Sequence, residues 1–138
     1  MTDPVTIESL FSCDNQQHQR TYIIAEIGIN HEGNADRCAE MIRSFVSAGA
    51  DAVKLQTVSA ARSYAPGTES YEMFSRAELS EAETANMFQL TRDCGAEPFT
   101  TSGDLHTLGW VDKLNPVAHK ISSGLMSCTP IVDETCRL

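Results

Sequence analysis

The chain has 138 residues, 41% hydrophobic and 21% charged, the balance of one soluble globular domain with a modest core. Its formal net charge of −9 disfavours nucleic acid and anionic membrane as partners, since both need clustered Lys or Arg. A small anion held by a few local cations remains open. No apolar run is long enough to cross a bilayer, and the start Met-Thr-Asp-Pro-Val-Thr has neither the basic nor the apolar region of a secretory leader, so a cytoplasmic setting is expected.

Residues 1–21 read as an N-terminal extension. Ile7, Leu10 and Phe11 suggest a short helix or strand at one end of the domain, and 14–20 a solvated linker or turn. The run Tyr22–Ile27, interrupted only by Glu26, reads as a buried parallel strand that empties into a Gly- and amide-rich turn. A helix over Ala35–Ala48 follows, with Cys38, Met41, Ile42, Phe45 and Val46 at helical spacing and Gly49 as its stop. A second strand covers Ala52–Gln56. The segment Thr57–Leu79, rich in Ser, Ala and a Pro-Gly pair, reads as a long functional or mobile loop.

Ser80-Glu81-Ala82-Glu83 is a capping box opening a helix to about Cys94, which Gly95 stops. A third strand is expected at Glu97–Thr101. The phrase Gly49-Ala50-Asp51-Ala52-Val53 recurs as Gly95-Ala96-Glu97-Pro98-Phe99, the rhythm of repeated βα units. Asp104 caps a helix over Leu105–Leu114, with Leu105, Leu108, Val111 and Leu114 on one side. A fourth strand at Val117–Ile121 leads through Ser122-Ser123-Gly124 to a last helix, with Thr129 as N-cap, Pro130 at N1, and Asp133 and Glu134 in its first turn. The five cysteines (Cys13, Cys38, Cys94, Cys128, Cys136) are an odd set without a close pair and read as buried free thiols.

Glu26, Lys54, Thr101 and Lys120 each fall at or near the C-terminal end of a parallel strand, the edge where α/β folds bind ligands. Two lysines there suit phosphate or carboxylate, and Thr101, Ser123 and the backbone N–H groups of the Ser-Ser-Gly turn suit phosphate oxygens. Glu26 would repel such an anion, so it is expected to face a second, hydroxyl-bearing substrate. Plainer readings exist. A lone Lys or Glu at a strand end forms a rim salt bridge; four on successive strand ends favour function. His31 either meets a ligand or bonds a loop carbonyl. His119 alternates against Lys120 and reads as structural, and the aromatics from Tyr64 to Phe74 as loop packing.

Three phrases carry a resemblance: Ile24-Ala25-Glu26-Ile27-Gly28-Ile29-Asn30-His31-Glu32-Gly33, Ala48-Gly49-Ala50-Asp51-Ala52-Val53-Lys54-Leu55-Gln56-Thr57, and Lys120-Ile121-Ser122-Ser123-Gly124. Together the chain resembles the N-acetylneuraminate (sialic acid) synthase family, whose members condense phosphoenolpyruvate with an amino-sugar aldehyde. The resemblance implies a TIM barrel, usually followed by a small antifreeze-like domain. It implies Glu26, Lys54 and Lys120 as the catalytic set, and Thr101, Ser123, Asn30, His31 and Gln56 as substrate-binding residues. Lys54, Thr101, Lys120 and Ser123 would hold phosphoenolpyruvate, and Glu26 the sugar. The family's divalent metal, Mn or Mg, takes its histidines from beyond this stretch, so no metal ligand is assigned. A homodimer is implied for the full-length form.

Two positions depart from the pattern. Leu125 stands where the family commonly has a Glu that contacts the sugar, and Thr101-Ser102-Gly103 replaces its Thr-Pro-Phe. The acceptor therefore stays open among N-acetylmannosamine, its 6-phosphate and bacterial deoxy-amino sugars. A TIM barrel needs eight strands and roughly 250 residues. The expected fold is thus α/β: a partial (β/α)8 TIM barrel of about four βα units with parallel strands over 22–138. On this reading the chain is an inactive N-terminal half with open sheet edges. A non-catalytic anion-binding half-barrel, a split subunit or another phosphate-binding TIM-barrel enzyme are the alternatives.

Overall fold

A computed structural model describes residues 6, 7 and 21–138. Leu10, Phe11, the 14–20 linker and Cys13 lie outside the described residues. The elements run β1 (Ile24–Gly28), α1 (Ala35–Ser47), β2 (Ala52–Thr57), α2 (Ala60–Ser63), α3 (Glu69–Ala77), α4 (Glu81–Asp93), β3 (Glu97–Ser102), α5 (Leu105–Val111), β4 (His119–Lys120) and α6 (Thr129–Thr135). Short 3-10 turns follow α5 at Asp112–Leu114 and β4 at Ser123–Leu125. The strands form one sheet in the order β1-β2-β3-β4, and every neighbouring pair is parallel. This is a partial (β/α)8 barrel, with the helices returning the chain to start each new strand.

Alternation along β2 sets its two faces. Val53 and Leu55 join Ile27, Cys38, Ile42, Met87 and Phe88 in the core between sheet and helices. Lys54 and Gln56 therefore take the other face. In register, Glu26 lies beside Lys54, Gln56 beside Thr101, and Thr101 beside Lys120. The Thr57 and Thr100 hydroxyls bond each other at 2.8 Å, which satisfies both inside the buried layer. Ahead of β1, the Tyr22 hydroxyl and the Ile7 N–H both donate to the Glu97 carboxylate. Burial and that carboxylate hold the Tyr22 hydroxyl above its ordinary pKa.

Several boundaries differ from the sequence reading. β1 starts at Ile24, not Tyr22, and only Ile27 and Gly28 in it are buried. Ile24 is 46% exposed, since strand alternation puts it on the face of Glu26, opposite the helix-covered core. β4 shrinks from the expected Val117–Ile121 to two paired residues, since only His119 and Lys120 meet β3 in register. Leu105 is exposed, although Leu108 and Val111 are buried as expected. Cys128, one residue before Thr129, is the N-cap of α6, so Asp133 and Glu134 fall beyond its first turn. Among the thiols, Cys38 is buried, and burial pushes its pKa up to about 11. Cys128 and Cys136 are exposed, contrary to expectation.

The largest departure is the Thr57–Leu79 segment, which holds two helices instead of a loop. Thr68 caps α3 by accepting from the Tyr71 N–H at 3.2 Å, and Glu69 and Glu72 suit its first turn. The hairpin is tied down twice. The Ala60 N–H at the start of α2 donates to the Glu78 carboxylate just past α3. The turn after β1 meets the end of α3 at Gly33, where φ is +73° and an added Cβ would lie 2.2 Å from the Arg76 carbonyl oxygen. Only glycine fits that contact.

Candidate active site

The C-terminal ends of the strands open into a cavity of about 1000 Å³. Glu26 from β1, Lys54 and Gln56 from β2, Thr101 from β3 and Lys120 from β4 all line it, with Ser123 from the turn after β4. Parallel strands place residues of like register at one rim.

Lys54 is the best-held member. It is 6% exposed, and its ammonium donates to Glu26 Oε1 at 2.6 Å and to Thr101 Oγ1 at 3.3 Å. An ammonium has three donors, so one remains for a ligand. Gln56 Nε2 approaches the same Glu26 oxygen at 3.5 Å. The Glu26 side chain is half exposed, and no described group bonds its second oxygen. The carboxylate thus balances Lys54 on one side and meets the cavity on the other.

Lys120 differs. It is exposed, and its ammonium donates to the Ile121 carbonyl oxygen at 2.7 Å. No carboxylate pairs with it among the described residues. The second carboxylate at the cavity, Asp104, is engaged with α5. Its oxygens accept from the His106 N–H at 2.9 Å, the Thr107 N–H at 3.1 Å and the Thr107 hydroxyl at 2.6 Å. Leu125 lines the cavity as an apolar side chain.

Asn30 and His31 are not among the lining residues. They sit in the turn after β1, which bonds to itself. Asn30 Nδ2 donates to the Ile27 carbonyl oxygen at 2.8 Å, and the Gly33 N–H donates to His31 Nδ1 at 3.2 Å. His31 is 1% exposed. Burial holds its pKa below the usual histidine value, against a weaker upward pull from a hydrogen bond with the Gly28 backbone. His119 Nε2 lies 3.3 Å from Asp112 Oδ1, in keeping with a structural place.

The cavity also holds residues that periodicity did not single out. Arg62, Ser63 and Tyr64 reach it from the end of α2, and His106 from α5. Tyr64 stacks on Phe74 of α3, with ring centroids 4.8 Å apart, and both line the cavity. The expected aromatic packing is present, and the same pair forms a wall of the site. Among the described residues no three His, Cys, Asp or Glu side chains gather to hold a metal ion. These residues do not fit a divalent metal, and none is assigned to one.

Comparison with known proteins bears on this arrangement. A model of the NeuB family matches residues 41–138. An uncharacterized protein of Methanocaldococcus jannaschii is 32% identical over 117 residues, 85% of this chain and 35% of that protein. The N,N'-diacetyllegionaminic acid synthase of Legionella pneumophila is 31% identical over 127 residues, 82% of this chain and 36% of the synthase. The crystal structure of an N-acetylneuraminic acid (sialic acid) synthetase from Leptospira borgpetersenii, in complex with citrate, superposes with a TM-score of 0.77 at 24% identity. That match covers 83% of this chain and 40% of the synthetase, and it speaks for the fold. The chain spans about a third of the length of these curated relatives. With the family match covering most of its length and the parallel half-barrel beneath it, the chain belongs to the NeuB family, the family of the N-acetylneuraminate synthases.

Proposed function

We propose that this chain forms the phosphoenolpyruvate side of a nonulosonate synthase, which joins phosphoenolpyruvate to an N-acetylmannosamine-type amino sugar and releases phosphate. The methylene carbon of phosphoenolpyruvate bonds to the sugar's aldehyde carbon, whose oxygen takes up a proton. Water adds at the former enol carbon, and the C–O bond to phosphate breaks. Lys54 and Lys120 bind and offset the anionic groups, with Thr101 and Ser123 as hydroxyl partners. The open oxygen of Glu26 accepts from an acceptor hydroxyl. The family's divalent metal finds no fitting set among the described residues, and no step here runs through it.

One observation supports this reading above the others: a buried ammonium, fixed by Glu26 and Thr101, on the wall of a cavity at the strand ends. Calorimetric titration of phosphoenolpyruvate tests it. The wild type should bind, and Lys54→Ala should weaken binding roughly 10- to 100-fold, the range for losing hydrogen bonds to a charged group. Absence of binding by the wild type, or full affinity in Lys54→Ala, overturns the reading.

A further inference from the structure

Arg62 and Ser63, at the end of α2, line the cavity but have no part in the roles above. No described residue pairs with the Arg62 guanidinium. The Ser63 hydroxyl oxygen is buried without a partner among the described residues.

Their position is fixed by a close approach. An added Cβ on Gly103 would lie 3.1 Å from Ser63 Oγ and 3.0 Å from Val58 Cγ1. The missing methyl lets the end of α2 press onto the turn after β3, two residues from Thr101. The tether from Ala60 to Glu78 holds the start of the same helix. Arg62 is thus carried to the strand ends on an anchored element.

Charge decides what it does there. Lys54 and Lys120 face two carboxylates at the cavity, Glu26 and Asp104. Without Arg62 the fixed charges cancel; with it, one net positive charge remains. Phosphoenolpyruvate carries about three negative charges near neutral pH, two on the phosphate and one on the carboxylate. The lysines alone leave that ligand in a locally neutral cavity of a strongly acidic chain.

We infer that Arg62 is a third anchoring contact for the phosphoenolpyruvate anion. This rests on the phosphoenolpyruvate reading above. A planar guanidinium can grip a phosphate or carboxylate through two N–H groups at once.

Titrations of phosphoenolpyruvate at several salt concentrations test the assignment in wild type, Arg62→Ala, Arg62→Lys, Ser63→Ala and Lys54→Ala proteins. Arg62→Ala should weaken binding roughly tenfold and flatten its salt dependence. Arg62→Lys should recover part of the affinity, and Ser63→Ala, which removes a hydroxyl buried away from the cavity space, should bind as the wild type does. Arg62 is exposed, so its removal should leave thermal unfolding unchanged. If Lys54→Ala abolishes binding while Arg62→Ala keeps the wild-type affinity and salt slope, the assignment falls and the phosphoenolpyruvate reading stands. If the wild type does not bind, both fall.

Discussion

At the scale of single residues, burial and pairing explain both the site and its surroundings. Lys54 is buried, yet Glu26 and Thr101 supply the hydrogen bonds that keep its charge from standing alone. His31 is buried too, with no carboxylate bonded to it among the described residues, and its pKa is lowered by desolvation. The unfolded chain therefore takes up a proton more readily than the folded one. Stability should be full above the unfolded value of 6.5 and fall as pH drops from there toward the lowered folded value. His31→Asn keeps an acceptor for the Gly33 N–H and removes the titration. Denaturant unfolding between pH 7.5 and 5 should show the decline in the wild type and its loss in the variant. Lys54, Thr101 and Lys120 were legible from sequence because strand alternation sends them to one face and one rim. Asn30 and His31 were not separable from them, because a turn that bonds to itself leaves no periodic trace.

At the scale of elements, the strands were read where apolar runs were long and central. β2 matches its expected span to within one residue, whereas β1 and β4 shift or shrink at the sheet's edges, where pairing on one side is missing. The α2–α3 hairpin was missed because small and polar residues around Pro66-Gly67 hide its helical period. Thr68 followed by Glu69 and Glu72 was the usable signal, an N-cap with acids in the first turn. Missing that hairpin also hid Arg62 and Ser63, while the aromatics from Tyr64 to Phe74, read as loop packing, prove to form a wall of the cavity as well. The box opening α4, by contrast, was read correctly. The Glu83 N–H donates to Ser80 Oγ at 3.2 Å, and Glu83 Oε2 accepts from the Ser80 N–H at 2.8 Å and its hydroxyl at 2.6 Å. The Ser80 hydroxyl and then its N–H lower the Glu83 pKa. That contribution is present above the ordinary carboxylate value and lost as pH falls through the lowered one. Ser80→Ala should cost about 1 kcal/mol at neutral pH. Chemical denaturation at pH 7 and pH 3 should show the difference narrowing in acid.

At the scale of the molecule, a sheet of four strands leaves β1 and β4 without outer neighbours among the described residues. The face opposite the helices carries the cavity and the half-exposed Ile24. Unpaired strand edges beside exposed apolar side chains invite pairing with another chain. The purified protein should self-associate with rising concentration, and Ile24→Lys should shift it toward smaller species by sedimentation velocity. The overall acidity works the other way, since like-charged chains repel. Barrel class and family were legible because four βα units repeat one grammar, and that grammar survives a remodelled turn or a shortened strand. One contact described above reaches further. Gly33 abuts Arg76 at the end of α3, Glu78 grips the head of α2, and Tyr64 and Phe74 clasp the two helices together. The aromatic wall is therefore a closed frame hinged on a turn outside the cavity. A side chain as small as a methyl at Gly33 would collide with the Arg76 carbonyl and force that junction to shift, reshaping the wall while every residue lining the cavity stayed the same.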